Sequence, residues 1–130
     1  MTDHLPISSE VKRFILLGIP SVPYLEAMLL LRSDPMHGWD HKRLALRLYT
    51  SEKAAADLLA QLHAAGVLMM LDQEMLIYRY QPRSDELKNM IDCLAETYAR
   101  HLVDVTNLIH AKTNKMAHKF ADAFIWRKDS

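Results

Sequence analysis

A chain of 130 residues, half of them hydrophobic, is long enough for one domain with a real core and too short for two comfortable ones. Its sixteen basic residues balance sixteen acidic ones, so no overall positive field draws it toward nucleic acid from a distance. A single cysteine, Cys93, excludes an internal disulfide, and no apolar run has the length of a membrane span or the layout of a signal peptide, which together point to the cytoplasm.

Residues 1–20 read as an N-terminal helical arm. Met1 to Ile7 carries Pro6 and little pattern. Ser8 or Ser9 can cap a short helix from Glu10 to Leu17, with Val11, Phe14, Ile15 and Leu17 available for packing, and Gly18 and Pro20 stop it. Ser21 marks the next start, and Pro23 falls in the first turn, where its missing N–H costs nothing. The run Tyr24 to Arg32 is apolar nearly all round at Leu25, Met28, Leu29, Leu30 and Leu31, the pattern of a central core helix. A loop with Ser33, Asp34, Pro35 and Gly38 follows, and Trp39 is expected to pair briefly with a later strand.

From Trp39 to Gly66 the pattern predicts two short helices joined by a tight turn. Asp40 caps the first, His41 to Leu48, with Leu44, Ala45 and Leu48 on one face. Thr50 or Ser51 caps the second, Glu52 to Ala65, with Ala55, Leu58, Leu59 and Leu62 inward, and Gly66 supplies the left-handed conformation that ends it. Val67 to Leu71 and Met75 to Tyr80 then read as a hairpin. A helix pair, a turn and an adjoining hairpin make a winged helix-turn-helix, assigned to residues 21–82.

Residues 83–130 contain neither Gly nor Pro. Ser84 caps a helix whose first turn holds Asp85 and Glu86, favourable against its dipole. Leu87, Ile91, Leu94, Tyr98, Leu102, Val105 and Ile109 keep a spacing of three or four, which predicts one long amphipathic helix reaching at least Lys112. Beyond it, Ala111 to Ser130 holds five cations against two acids, a net charge of +3 that leaves −3 for the rest of the chain. Met116, Phe120 and Phe124 recur every four residues, with Trp126 close by, so this tail reads as a basic amphipathic helix. It can fold back onto its own core or a dimer mate, take a protein partner, or lie on a membrane surface.

The stretches SVPYLEAMLLL, WDHKRLALRLYTSEKAAADLLAQLHAAGVL, YRYQP and LAETYARHLVDVTNLIHAK carry a resemblance, and the first half of the chain is similar to winged helix-turn-helix regulators of the broad MarR and ArsR type. The likeness runs from Ser21 to Lys112, and the whole chain resembles small bacterial winged-helix proteins of unassigned function. The resemblance implies a transcription regulator that binds double-stranded DNA as a homodimer. In it, the helix from Glu52 enters the major groove, the hairpin is the wing, and the seam Leu87, Ile91, Leu94, Tyr98, Leu102, Val105 and Ile109 dimerises.

Groove binding needs cations for phosphates and side chains that reach base edges. Lys42, Arg43, Arg47 and Arg79 are the candidate backbone anchors, with Ser51 at the helix start and Lys53 and Gln61 on the reading face. Asp57 shares that face, and the wing tip is Asp72, Gln73 and Glu74, where groove-reading wings carry Arg or Lys. These acids favour a second reading, a winged-helix module that uses its acidic wing and basic tail Met116, Phe120, Phe124 and Trp126 on a protein partner and never touches DNA.

The remaining constellations carry less. His101, His110 and His118 are nine and eight residues apart and cannot share one helix face as ligands, so no metal site is assigned. Cys93 sits at the edge of the apolar stripe with no cation beside it in sequence to activate the thiol. No phosphate loop, HExxH, nucleophile elbow or paired-carboxylate pattern is present, so neither catalysis nor a cofactor is expected. The expected architecture is mainly α with a small antiparallel β-hairpin, completed by the long C-terminal helix.

Overall fold

In the computed structural model, which describes residues 7–112, helices alternate with turns until a two-stranded hairpin interrupts them. The order is α1 Ser9–Gly18, α2 Val22–Ser33, α3 His41–Leu48, α4 Glu52–Ala64, β1 Leu68–Asp72, β2 Ile77–Tyr80 and α5 Asp85–Arg100, with residues 102–112 helical again. The protein is therefore mainly helical with one antiparallel hairpin, the class expected from its residue pattern. Two compact units form, one from residues 23–95 and one from 7–22 with 96–112. The expected tail residues Met116, Phe120, Phe124 and Trp126 lie outside the described residues.

In the 23–95 unit α3, α4 and α5 each begin where a short polar side chain satisfies a free backbone N–H. Asp40 accepts from the Arg43 N–H at 2.8 Å, Ser51 from Ala54 at 3.0 Å and Ser84 from Leu87 at 3.1 Å. The core is what the apolar spacing dictates: Leu25, Met28 and Leu31 of α2, Leu44 of α3, Leu59 and Leu62 of α4, and Ile91 and Leu94 of α5 are all buried. Full burial of such side chains stabilises by about 1.5–3 kcal/mol each before the entropy of ordering them is counted. An ion pair between Arg32 of α2 and Asp92 of α5, at 2.9 Å, ties the two helices at the edge of this core.

Gly66 ends α4 with φ of 81°, and the N–H groups of Gly66 and Val67 return to the carbonyls of His63 and Leu62, each at 3.0 Å. This closure turns the chain straight into β1. The strands pair with Leu68 opposite Tyr80, Met69 opposite Arg79 and Met70 opposite Tyr78; the register slips at Leu71 before Asp72 meets Ile77. Trp39 adds a one-residue bridge on the far side of β2, exchanging both backbone hydrogen bonds with Tyr78 at 2.7 and 2.9 Å. The expected pairing of Trp39 with the hairpin is thus present. A side chain at Gly38 would lie 2.7 Å from the Ile77 methyl, so only glycine lets this strand approach.

In the other unit Ser8 caps α1, accepting from the Val11 N–H at 3.2 Å, and Val11, Ile15 and Ile19 are buried. Leu17, expected to pack, is 75% exposed, because the helix turns Val11 and Ile15 inward and carries Leu17 to the other side. Val105 and Ile109 are buried from residues 102–112, and Lys112 Nζ donates to the Ile19 carbonyl at 3.4 Å.

Two expectations for the C-terminal helix need correction. It is not continuous to Lys112: α5 stops at Arg100 and helix resumes at 102. His101 still donates to Thr97 and accepts from Val105 through its backbone, so helical hydrogen bonds run across the interruption. No Gly or Pro marks the break in the sequence, and beyond it the Thr106 hydroxyl donates back to the Leu102 carbonyl at 2.8 Å. The proposed dimer seam is also mostly core. Ile91, Leu94, Val105 and Ile109 are fully buried within the single chain, Leu87 and Tyr98 are half-buried, and Leu102 alone stands clear at 55% exposed. Four of the seven positions are therefore already covered and offer no surface to a second copy.

Candidate functional site

The residues expected to meet a partner lie on the α3–α4 pair and the hairpin. The turn between the helices is short because Tyr49 takes φ of 55° and ψ of 46°, reversing the chain in one residue. The Tyr49 N–H returns to Ala45, as does that of Thr50 at 3.1 Å, and Ser51 at once caps α4. A tyrosine held in the left-handed region is strained relative to Asn or Gly, and its ring stands 96% exposed.

Lys42 and Arg47 of α3 and Lys53 and Gln61 of α4 are exposed, as the spacing required. Arg43 has a different role. Its guanidinium stacks 3.9 Å from the centre of the Trp39 ring, donates to the Gly38 carbonyl at 3.1 Å and meets Asp34 at 3.0 Å. The same Asp34 carboxyl receives the His37 ring, and His37 together with Arg43 holds it below the usual carboxylate range. Arg43 therefore closes the buried Trp39 from above and is not a free phosphate anchor. Ser51 is likewise spent on capping, and Arg79 donates to Gln81 at 2.7 Å and reaches the Met69 sulfur at 3.7 Å. Of the residues expected to meet DNA, Lys42, Lys53 and Gln61 keep uncommitted side chains among the described residues, while the exposed Arg47 guanidinium lies 5.9 Å from the centre of the Trp39 ring.

The hairpin tip is built by its acid. Asp72 Oδ1 accepts from the Glu74 and Met75 N–H groups at 2.9 and 3.0 Å, an Asx-type turn that shapes the reversal, and Leu76 follows with φ of 54°. Around this tip stand Met69, Leu71, Met75 and Leu76, all exposed, with Met75 at 65%. The acids stand out in the sequence, whereas this apolar surface does not. Its trace is MM, L and ML on both sides of DQE, runs that read equally well as strand core until the pairing shows which face is covered.

Among the described residues no group of three or more His, Cys, Asp or Glu could hold a metal ion, and no single helix is long and apolar enough to cross a membrane. Cys93 is exposed on α5. Compared with protein-family models, curated proteins and solved structures, the chain matches none.

Proposed function

We propose that the 23–95 unit is a winged helix-turn-helix used as a protein-binding module, with the hairpin as the contact surface. The observation that carries this reading is the composition of the hairpin: Met69, Leu71, Met75 and Leu76 exposed around Asp72 and Glu74. A wing lying along duplex DNA needs cations against the phosphates, and this one sets two carboxylates there. Exposed Met and Leu side chains suit an adaptable protein contact, since methionine is flexible and polarisable. The resemblance of the first half of the sequence to winged helix-turn-helix regulators of the broad MarR and ArsR type supports a setting in transcription control, where such a module would act on another protein of the machinery.

The exposed cations Lys42, Arg47 and Lys53 support a second reading, direct DNA binding by a regulator. One experiment separates the two. Full-length protein, and a Leu71→Glu/Met75→Glu variant, are used as bait in native extract, and the same proteins are run in mobility shifts with genomic fragments at about 50 mM salt. The protein-binding reading expects a stoichiometric partner retained by the wild type, lost from the hairpin variant, and no shift. A shift that weakens with salt and disappears in Arg47→Glu/Lys53→Glu would establish the regulator instead.

A further inference from the structure

Beside the α3–α4 turn a cleft of about 440 Å³ opens between the start of α2, the turn and the first half of α4. Leu48, Leu58 and Pro23 give it apolar walls, Glu26 and Asp57 line it with two carboxylates, and no Lys, Arg or His lines it. Tyr49 stands beside it with its ring almost wholly free. Both Glu26 and Asp57 are exposed, and neither makes a hydrogen bond or ion pair with a described residue. The other acids around these helices are committed: Asp34 to Arg43 and His37, Asp40 to a helix cap, Glu52 to His41 at 3.4 Å, Asp92 to Arg32.

We infer that this cleft is the docking site for a basic peptide segment of the protein partner. A Lys or Arg laid into it would place its methylene stem along Leu48 and Leu58 and its charged head at Glu26 and Asp57. The free face of Tyr49 supplies a cation–π contact at the mouth. The volume, about 440 Å³ in an open cleft, leaves room for an apolar neighbour of the basic side chain. Anionic ligands, duplex DNA included, meet two unneutralised carboxylates at the same place. The inference rests on the protein-binding reading above and gives the partner its chemistry, a basic segment with apolar anchors.

The test uses two labelled synthetic peptides with the same Leu and Trp positions, one with Lys and one with Glu between them, titrated by fluorescence anisotropy against the full-length protein. The Lys peptide is expected to bind and the Glu peptide not. Affinity for the Lys peptide should fall about tenfold or more in Glu26→Gln/Asp57→Asn, and further in Glu26→Lys/Asp57→Lys, with unchanged circular dichroism. Equal binding to wild type and both variants, no binding to wild type, or equal binding of the Glu peptide would overturn the assignment. Light scattering that shows self-association lost in the charge-reversed variant would put the chain's own basic residues in the cleft and overturn the partner assignment. If the Lys peptide fails while the hairpin variant still loses its partner from extract, the cleft assignment alone falls; a salt-sensitive DNA shift removes both.

Discussion

At the scale of single residues, Tyr80 shows how burial becomes a property that can be titrated. Its side chain is buried, and that burial, with the Asp92 carboxylate adding to it, pushes the phenol up to about 12. The unfolded chain releases the same proton near pH 10. Because the folded state holds the proton more tightly, this contribution is complete below about pH 10 and is lost as pH rises toward about 12. Urea midpoints measured across that window should fall with pH in the wild type and fall less in Tyr80→Phe. Tyr49 makes the opposite case, a residue whose strain has no packing to account for it. Replacing it by Asn should raise stability by about 0.5–1 kcal/mol in denaturant titrations while weakening the Lys peptide, the signature of a residue kept for contact. Arg43 was legible as an exposed helix cation, yet its stacking on Trp39 depends on a loop closing over it. Arg43→Ala should cost about 1–2 kcal/mol, and Arg43→Lys should restore little, since an ammonium neither stacks flat nor donates as a fork.

At the scale of elements, boundaries followed local chemistry closely because caps are local. Asp40, Ser51 and Ser84 act within three residues of themselves, and α3 runs over His41–Leu48 as its spacing predicts. Ser51→Ala should therefore cost about 1 kcal/mol, read from the same titrations. The long helix after the hairpin departs from its spacing for the converse reason. Its apolar stripe is real, but periodicity says that a face is covered and not by what. Ile91→Ala and Leu94→Ala should each cost about 2–5 kcal/mol with an unfolding midpoint independent of protein concentration, as cavities in a single-chain core do and lost dimer contacts do not. Trp39→Ala should cost about 3–5 kcal/mol, because it removes the largest buried side chain of the loop and the roof that Arg43 rests on.

At the scale of the molecule, the balanced net charge conceals an uneven distribution. The hairpin tip and the cleft beside the α3–α4 turn hold exposed acids, while Arg43 and Arg79, which would have offset them, are bonded within the fold. Net charge alone could not separate a DNA-binding surface from a protein-binding one. The distribution of committed and uncommitted charge is what the proposed contact with a basic, apolar segment of another protein rests on, and the exposed Lys42, Arg47 and Lys53 are what the mobility shift weighs against it.

By itself, the order of residues determined the helix starts, the paired helices from His41 to Ala64, the hairpin and the Trp39 bridge, since each depends on contacts within a few residues or on strict alternation. Tertiary structure alone decided that Ile91, Leu94, Val105 and Ile109 are core, that Arg43 is locked, and that Glu26 and Asp57 line one cleft. Those outcomes depend on which distant surfaces meet, and solvent exclusion between such surfaces is a property of the folded assembly that no local pattern encodes.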